Sequence, residues 1–131
     1  MKTHCFRLLP DQDLKKEILA YCSQHDINAG IVISSVGSLK KLSLRLANTS
    51  SILQKSENFE ILGLNGTLSK ESVHLHLTVA DQNGACLGGH LVDGNVIYTT
   101  CELILVELDT VAFCRELDTS TGFKELKVIT K

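Results

Sequence analysis

Apolar and polar positions change period several times along the chain, and each change marks an element. Residues 3–9 read as a strand that Pro10 stops, one residue before an acidic helix start at Asp11 and Asp13. Leu14, Ile18, Tyr21 and Cys22 then recur at helical spacing, leaving Lys15, Lys16 and Glu17 for solvent, and the helix is expected to end near Asn28 to Gly30. From Gly30 to Leu39 the chain is β-branched and closes on a glycine turn, which predicts a largely buried strand. Lys40 and Lys41 predict a solvent-facing bend. Leu42, Leu44 and Leu46 next alternate with Ser43, Arg45 and Ala47, the period of a half-buried strand, and residues 48–57 read as a polar loop.

The second half is richer in strand signals. Phe59 to Ser69 predicts a strand with a bulge at one of its glycines. Ser72 to Ala80 alternates strictly, placing Val73, Leu75, Leu77 and Val79 on one face and His74, His76 and Thr78 on the other. Asp81-Gln82-Asn83-Gly84 supplies a hairpin turn, and residues 85–92 return as the partner strand. After a turn at 93–95, Val96 to Leu108 is a long apolar strand and Val111 to Leu117 a last one. One main helix and about six to seven strands indicate an α+β fold with a mainly antiparallel sheet. With 131 residues the chain makes one domain, 1–131. The run Val96 to Val106 exceeds what one sheet face needs, so both faces are expected to be covered, the second by another copy in a homo-oligomer.

Charge narrows the partners. Thirteen basic residues against fifteen acidic ones give a formal charge of −2, so no global positive field exists to hold phosphates. No stretch of 18 apolar residues suggests a spanning helix, and the N-terminus has no apolar run of signal-peptide length, so no membrane is expected and the cytoplasm is the expected compartment. The five cysteines (Cys5, Cys22, Cys86, Cys101, Cys114) are scattered without a Cys-x-x-Cys pair, as expected of reduced, mostly buried thiols. Phosphate-loop, dinucleotide, metalloprotease and serine-hydrolase motifs do not occur.

The main chemical signal is histidine. Three of the five fall close together, as His74-Leu75-His76 on one strand and Gly88-Gly89-His90 on the strand that the Asn-Gly turn folds beside it. Side chains two apart on a strand share a face, and a cross-strand neighbour supplies a third nitrogen, which suits a three-histidine zinc site with an open fourth position. Gly88 and Gly89 would let backbones approach closely. The plainer reading is an ordinary polar hairpin face with His90 unrelated. His4 and His25 read as isolated surface groups. Cys86 lies four residues before His90, a weak candidate thiolate pair set against a buried structural thiol. Glu102 and Glu107 read as a buried partner for a subunit contact and a surface charge, and Lys40-Lys41 as a solvated bend too small for a nucleic-acid patch.

These residues resemble the plants-and-prokaryotes-conserved (PPC) domain, which stands alone in bacteria and archaea and is joined to AT-hooks in plant nuclear proteins. Ile33-Ser34-Ser35-Val36-Gly37-Ser38-Leu39 is similar to the family's glycine turn after its first buried strand. Phe59-Glu60-Ile61-Leu62 resembles the core of its Gly-Arg-Phe-Glu-Ile-Leu segment, with Glu57 and Asn58 in place of Gly and Arg. His74-Leu75-His76 through Gly84, Gly88-Gly89-His90 and Gly94 resembles the signature of prokaryotic members. The resemblance covers nearly the whole chain. It implies a twisted antiparallel sheet, a homotrimer, and a metal, zinc by preference, at His74, His76 and His90.

The resemblance also implies a binding or regulatory module associated with DNA. Against direct DNA contact stand the acidic charge and the lack of an AT-hook, since none of the three arginines (Arg7, Arg45, Arg115) has the Arg-Gly-Arg-Pro setting. A direct DNA binder would need a patch assembled by symmetry from Lys40, Lys41 and Arg45. The alternative function is a metal-dependent enzyme of hydrolase or lyase type, using the open coordination position on a small molecule, with no general base identifiable in the sequence.

Overall fold

The computed structural model describes residues 1–131. In chain order the elements are β1 (Lys2–Leu8), α1 (Leu14–Gln24), β2 (Gly30–Arg45), β3 (Ile52–Lys55), β4 (Phe59–Leu68), β5 (Val73–Ala80), β6 (Cys86–Leu91), β7 (Val96–Glu107), β8 (Val111–Leu117) and β9 (Lys124–Thr130). The first seven strands form one antiparallel sheet in the order β1-β7-β2-β4-β5-β6, with β3 added to β2, while β8 and β9 pair only with each other. The fold is therefore the expected α+β arrangement, a mainly antiparallel sheet with one helix.

Four local expectations change. Lys40 and Lys41 do not break the chain: β2 runs through them, and the bend is absorbed as register slips against β7 between Gly37 and Leu39 and between Leu39 and Lys41. Pairing of Leu39 and Lys41 with β7 outweighs the local polarity, and Lys40 bonds the Asp11 carboxylate. The polar stretch 48–57 contains β3, whose four residues pair with Leu42–Arg45. The polar chain from Lys124 becomes β9 because β8 offers it a complete ladder from Val111↔Thr130 to Leu117↔Lys124. The helix stops at Gln24, a few residues early, because Asp26 takes a left-handed φ of 54° and turns Ile27 into the core.

The sheet curls until it meets itself. β2 is long enough to pair with β4 through residues 30–39 and then with β6 at Leu44↔Leu91 and Arg45↔His90. The strip β2-β4-β5-β6 thus closes, and its inner face carries Leu39, Leu44, Leu64, Leu75, Leu77 and Leu91, all buried. α1 covers this core with Leu14, Ile18 and Cys22. Asp13 caps the helix by accepting from the Lys16 backbone N–H at 3.1 Å and, through its other oxygen, from the Gly94 N–H at 2.7 Å. One carboxylate thereby fixes the helix start to the β6–β7 turn. The fully buried Asn95 completes the closure: its Oδ1 accepts from the Ser43 N–H at 2.9 Å, and its Nδ2 donates to the carbonyls of Ser43 at 2.7 Å and Val92 at 2.8 Å.

The outer face is a different matter. Ile33, Val36, Leu62, Tyr98 and Ile104 are 57%, 54%, 56%, 47% and 38% exposed, so no element of this chain covers the second face of β2, β4 and β7. The strand 30–39 is accordingly buried on one face only.

His4 corrects a further expectation. It is buried, not superficial: Nε2 lies 3.0 Å from the Glu107 carboxylate and Nδ1 3.3 Å from the Tyr21 hydroxyl. A carboxylate only accepts, so Nε2–H donates to Glu107 and Nδ1 accepts from the tyrosine. Glu107, expected as a surface charge, is instead half-buried as the partner of an internal histidine, and Glu102 is exposed on this chain. His25 is exposed as expected, stacked on Tyr21 at 4.0 Å between ring centroids. All five cysteines are free, but only Cys22 and Cys101 are buried.

Two outcomes follow. Asn95→Ala strips three hydrogen bonds from buried backbone groups, and urea unfolding should show a loss of about 3 kcal/mol or more, since each orphaned buried group costs roughly 1–3 kcal/mol. Burial pushes the thiols of Cys22 and Cys101 up to about 11 and about 12, so both remain protonated at pH 8. Iodoacetamide mapped by mass spectrometry should label Cys5 and Cys86 in the folded protein, and Cys22 and Cys101 only after unfolding.

Candidate metal centre

His74 and His76 stand on the face of β5 opposite Leu75 and Leu77, which fill the core. Strand alternation fixes that choice, because a shift by one residue would drive both leucines into water. β6 then places His90 directly opposite His76 in the ladder. The three ring centroids lie 5.2 Å (His74–His76), 5.1 Å (His74–His90) and 5.7 Å (His76–His90) apart. One nitrogen from each ring falls within 4.8 Å of the others. The three candidate ligands are thus brought together.

Two glycines make the approach feasible. Gly66, opposite Leu75 in the β4–β5 ladder, has a φ of 150°, and a Cβ there would sit 1.9 Å from the His74 carbonyl oxygen. Gly89 faces β2, where a Cβ would meet the Arg45 carbonyl oxygen at 2.8 Å. A side chain at either position would push apart the strands that carry the histidines. Gly88 is less constrained, its nearest neighbour being the Leu77 carbonyl oxygen at 3.2 Å.

The electrostatics favour neutral imidazoles. Burial holds His90 down to about 4, reinforced by the charges of Arg45 and of the other two histidines. His74 is lowered as well, first by burial and then by Arg115, with Glu125 opposing. At neutral pH both rings are unprotonated and keep the lone pair that a metal needs. Moreover, His90 Nδ1 is buried without a hydrogen-bond partner, although buried polar atoms are normally satisfied. Three convergent imidazole nitrogens are a donor set suited to zinc or a similar borderline cation, which binds imidazole at about 2.0–2.1 Å.

Beside the triad opens a cleft of about 940 Å³, lined among others by Arg45, Asn48, Thr49, Ser50, Gly89 and Phe123. Arg45 and Phe123 are components that sequence reading did not assign to this site. Arg45 has the outward phase of the Leu42-Leu44-Leu46 alternation, but nothing local connects it with a histidine 45 positions later. Phe123 arrives from the β8–β9 hairpin, which is held over β4 by the Arg115 guanidinium donating to Thr67 Oγ1 at 2.9 Å. Cys86 does not join the site: it is exposed, and its thiol donates to the Gly84 carbonyl at 3.8 Å.

Comparison with known proteins shows which family shares this fold. The chain is 34% identical to a hypothetical protein of Salmonella cholerae-suis (Salmonella enterica), whose solved structure superposes with a TM-score of 0.97 over 99% of this chain and 94% of that one. A metal-containing protein of Archaeoglobus fulgidus matches at 26% identity and a TM-score of 0.78, over 95% of this chain and 92% of that one. The chain is also 44% identical over 128 residues to the bifunctional protein GlmU of Synechococcus sp. (strain JA-3-3Ab), matching 98% of its own length but spanning only 21% of that protein. The sequence model of the Plants and Prokaryotes Conserved (PCC) domain matches residues 1–109, all of the large sheet and its helix, and the chain belongs to that family.

Proposed function

We propose that the chain is a metal-binding module that holds zinc through His74, His76 and His90 and acts as a cytoplasmic homotrimer in a binding or regulatory role. The observation that carries the metal assignment is the convergence of one nitrogen from each of three imidazoles to within 4.8 Å of the others, on rings of which His90 also has a buried Nδ1 that no protein group satisfies. The metal-containing relative supports it. When bound, such a metal supplies a Lewis-acidic position open to one further ligand. The chain's own part is to disfavour the charged form of His74 and His90 by burial, to fix the spacing of the three rings through the β5–β6 ladder, and to leave the cleft open beside them.

The trimer rests on the outer face. Ile33, Val36, Leu62, Tyr98 and Ile104 gather on adjacent strands β2, β4 and β7 of one sheet, an uncovered apolar surface of the kind that marks association sites. No helix is long and apolar enough to cross a membrane.

The second reading, a metal-dependent enzyme acting on a small molecule, is favoured by the cleft of about 940 Å³. Direct DNA binding has less support. Of the basic residues it would recruit, Lys40 is bound to Asp11 and Arg45 lies in the cleft, leaving Lys41 alone on the surface.

Metal analysis after dialysis should show one zinc per chain, and His74→Ala, His76→Ala or His90→Ala should each weaken zinc binding more than about a hundredfold, beyond the 10–100-fold typical of outer-shell changes. Retention of stoichiometric zinc by all three variants would exclude the site. Ile104→Glu should reduce the trimer to monomers by sedimentation velocity while leaving the circular dichroism spectrum unchanged. Gel shifts should show no complex with duplex DNA that weakens steeply as salt rises, the signature of phosphate contacts.

A further inference from the structure

Two of the three arginines are committed to neighbours. Arg7 donates to Thr100 Oγ1 at 2.8 Å and to the Thr99 carbonyl at 3.2 Å, and Arg115 donates to Thr67 Oγ1. The Arg45 guanidinium makes no hydrogen bond and no ion pair, and it stands at the end of β2 on the wall of the cleft. The ladders define what surrounds it. Arg45 is opposite His90, His90 opposite His76, and His76 opposite Asn65, so four residues on four adjacent strands form one row. Directly opposed residues share a face, with Cβ atoms about 4.5–5.5 Å apart. A free guanidinium is therefore the cross-strand neighbour of a member of the histidine triad.

The charge balance is one-sided. None of the residues lining the cleft is acidic. Imidazole ligands bring no negative charge to compensate a divalent cation, and Arg45, opposite His90 in the ladder, adds to the positive charge on this wall. Such a site selects an anion.

We propose that the cleft binds a small organic carboxylate, with Arg45 gripping the carboxylate beside the open position of the histidine site and Phe123 covering the apolar part of the ligand. The planar fork of arginine matches two carboxylate oxygens, which a point charge does not. Phe123 lies 66% exposed at the cleft, beside the apolar Leu46 and Ala47 of its lining. The size of the cleft fits a metabolite and not a polymer. This inference rests on the metal reading above and gives it a ligand class.

The test uses the full chain loaded with cobalt(II), whose visible spectrum reports changes in its ligands. Cobalt content is measured first in the wild type, Arg45→Gln and Arg45→Lys. Lactate is then titrated, with its neutral analogue lactamide and with inorganic phosphate in parallel. Lactate should shift the spectrum saturably and lactamide should not. Arg45→Gln should weaken lactate binding about ten- to a hundredfold at unchanged cobalt content, as expected for losing hydrogen bonds to a charged group, and Arg45→Lys should restore it in part. Equal lactate affinity in wild type and Arg45→Gln, equal binding of lactamide, or preference for phosphate would overturn the carboxylate proposal while leaving the metal site standing. Failure of the wild type to hold cobalt would remove both.

Discussion

The structure turns on the return of β6 to the far end of β2. Only when Leu91 meets Leu44 and His90 meets Arg45 does the strip β2-β4-β5-β6 close over its leucines. The fully buried Asn95 secures that closure, because it is the hydrogen-bond partner of both the N–H and the carbonyl of Ser43. Buried backbone groups have no water to fall back on, so the β6–β7 turn cannot leave β2 without orphaning them. Asp13 ties the helix start to the same turn, so helix, turn and long strand are fixed together.

That closure serves chemistry as well as packing. The inward phase of β5 and β6 supplies core leucines, and the outward phase presents imidazoles, with the same two ladders setting both. The spacing of the histidines is therefore as rigid as the core beneath them. Desolvation at this concave wall disfavours the imidazolium, which leaves neutral donors in place before any ligand arrives. By contrast, His4 is buried beside a carboxylate and a phenol that use both its nitrogens, so it is a satisfied internal group with nothing to offer a ligand.

Much of this was legible in the residues. The alternation through Val73 to Val79 assigned His74 and His76 to one face, and Asn83-Gly84 announced the hairpin that brings His90 beside them, because both signals are local. The helix face and its Asp13 cap were readable for the same reason. Lys40-Lys41 is not legible in this way, since two adjacent lysines look like a bend, and only the pairing of Leu39 and Lys41 with β7 carries the strand through them. β9 was missed because its sequence has no strong pattern of its own and is ordered by pairing with β8.

By itself the sequence determined most of the elements, the α+β class and the grouping of His74, His76 and His90 on one hairpin, because these depend on side-chain period and turn chemistry within a few residues. Tertiary structure alone decided that His4 is internal, that β2 meets β6, and that Arg45 and Phe123 border the histidines. Those outcomes join positions tens of residues apart, and such pairings are set by sheet curvature, bulges and the hydrogen-bond needs of buried backbone, none of which is written in any local stretch of chain.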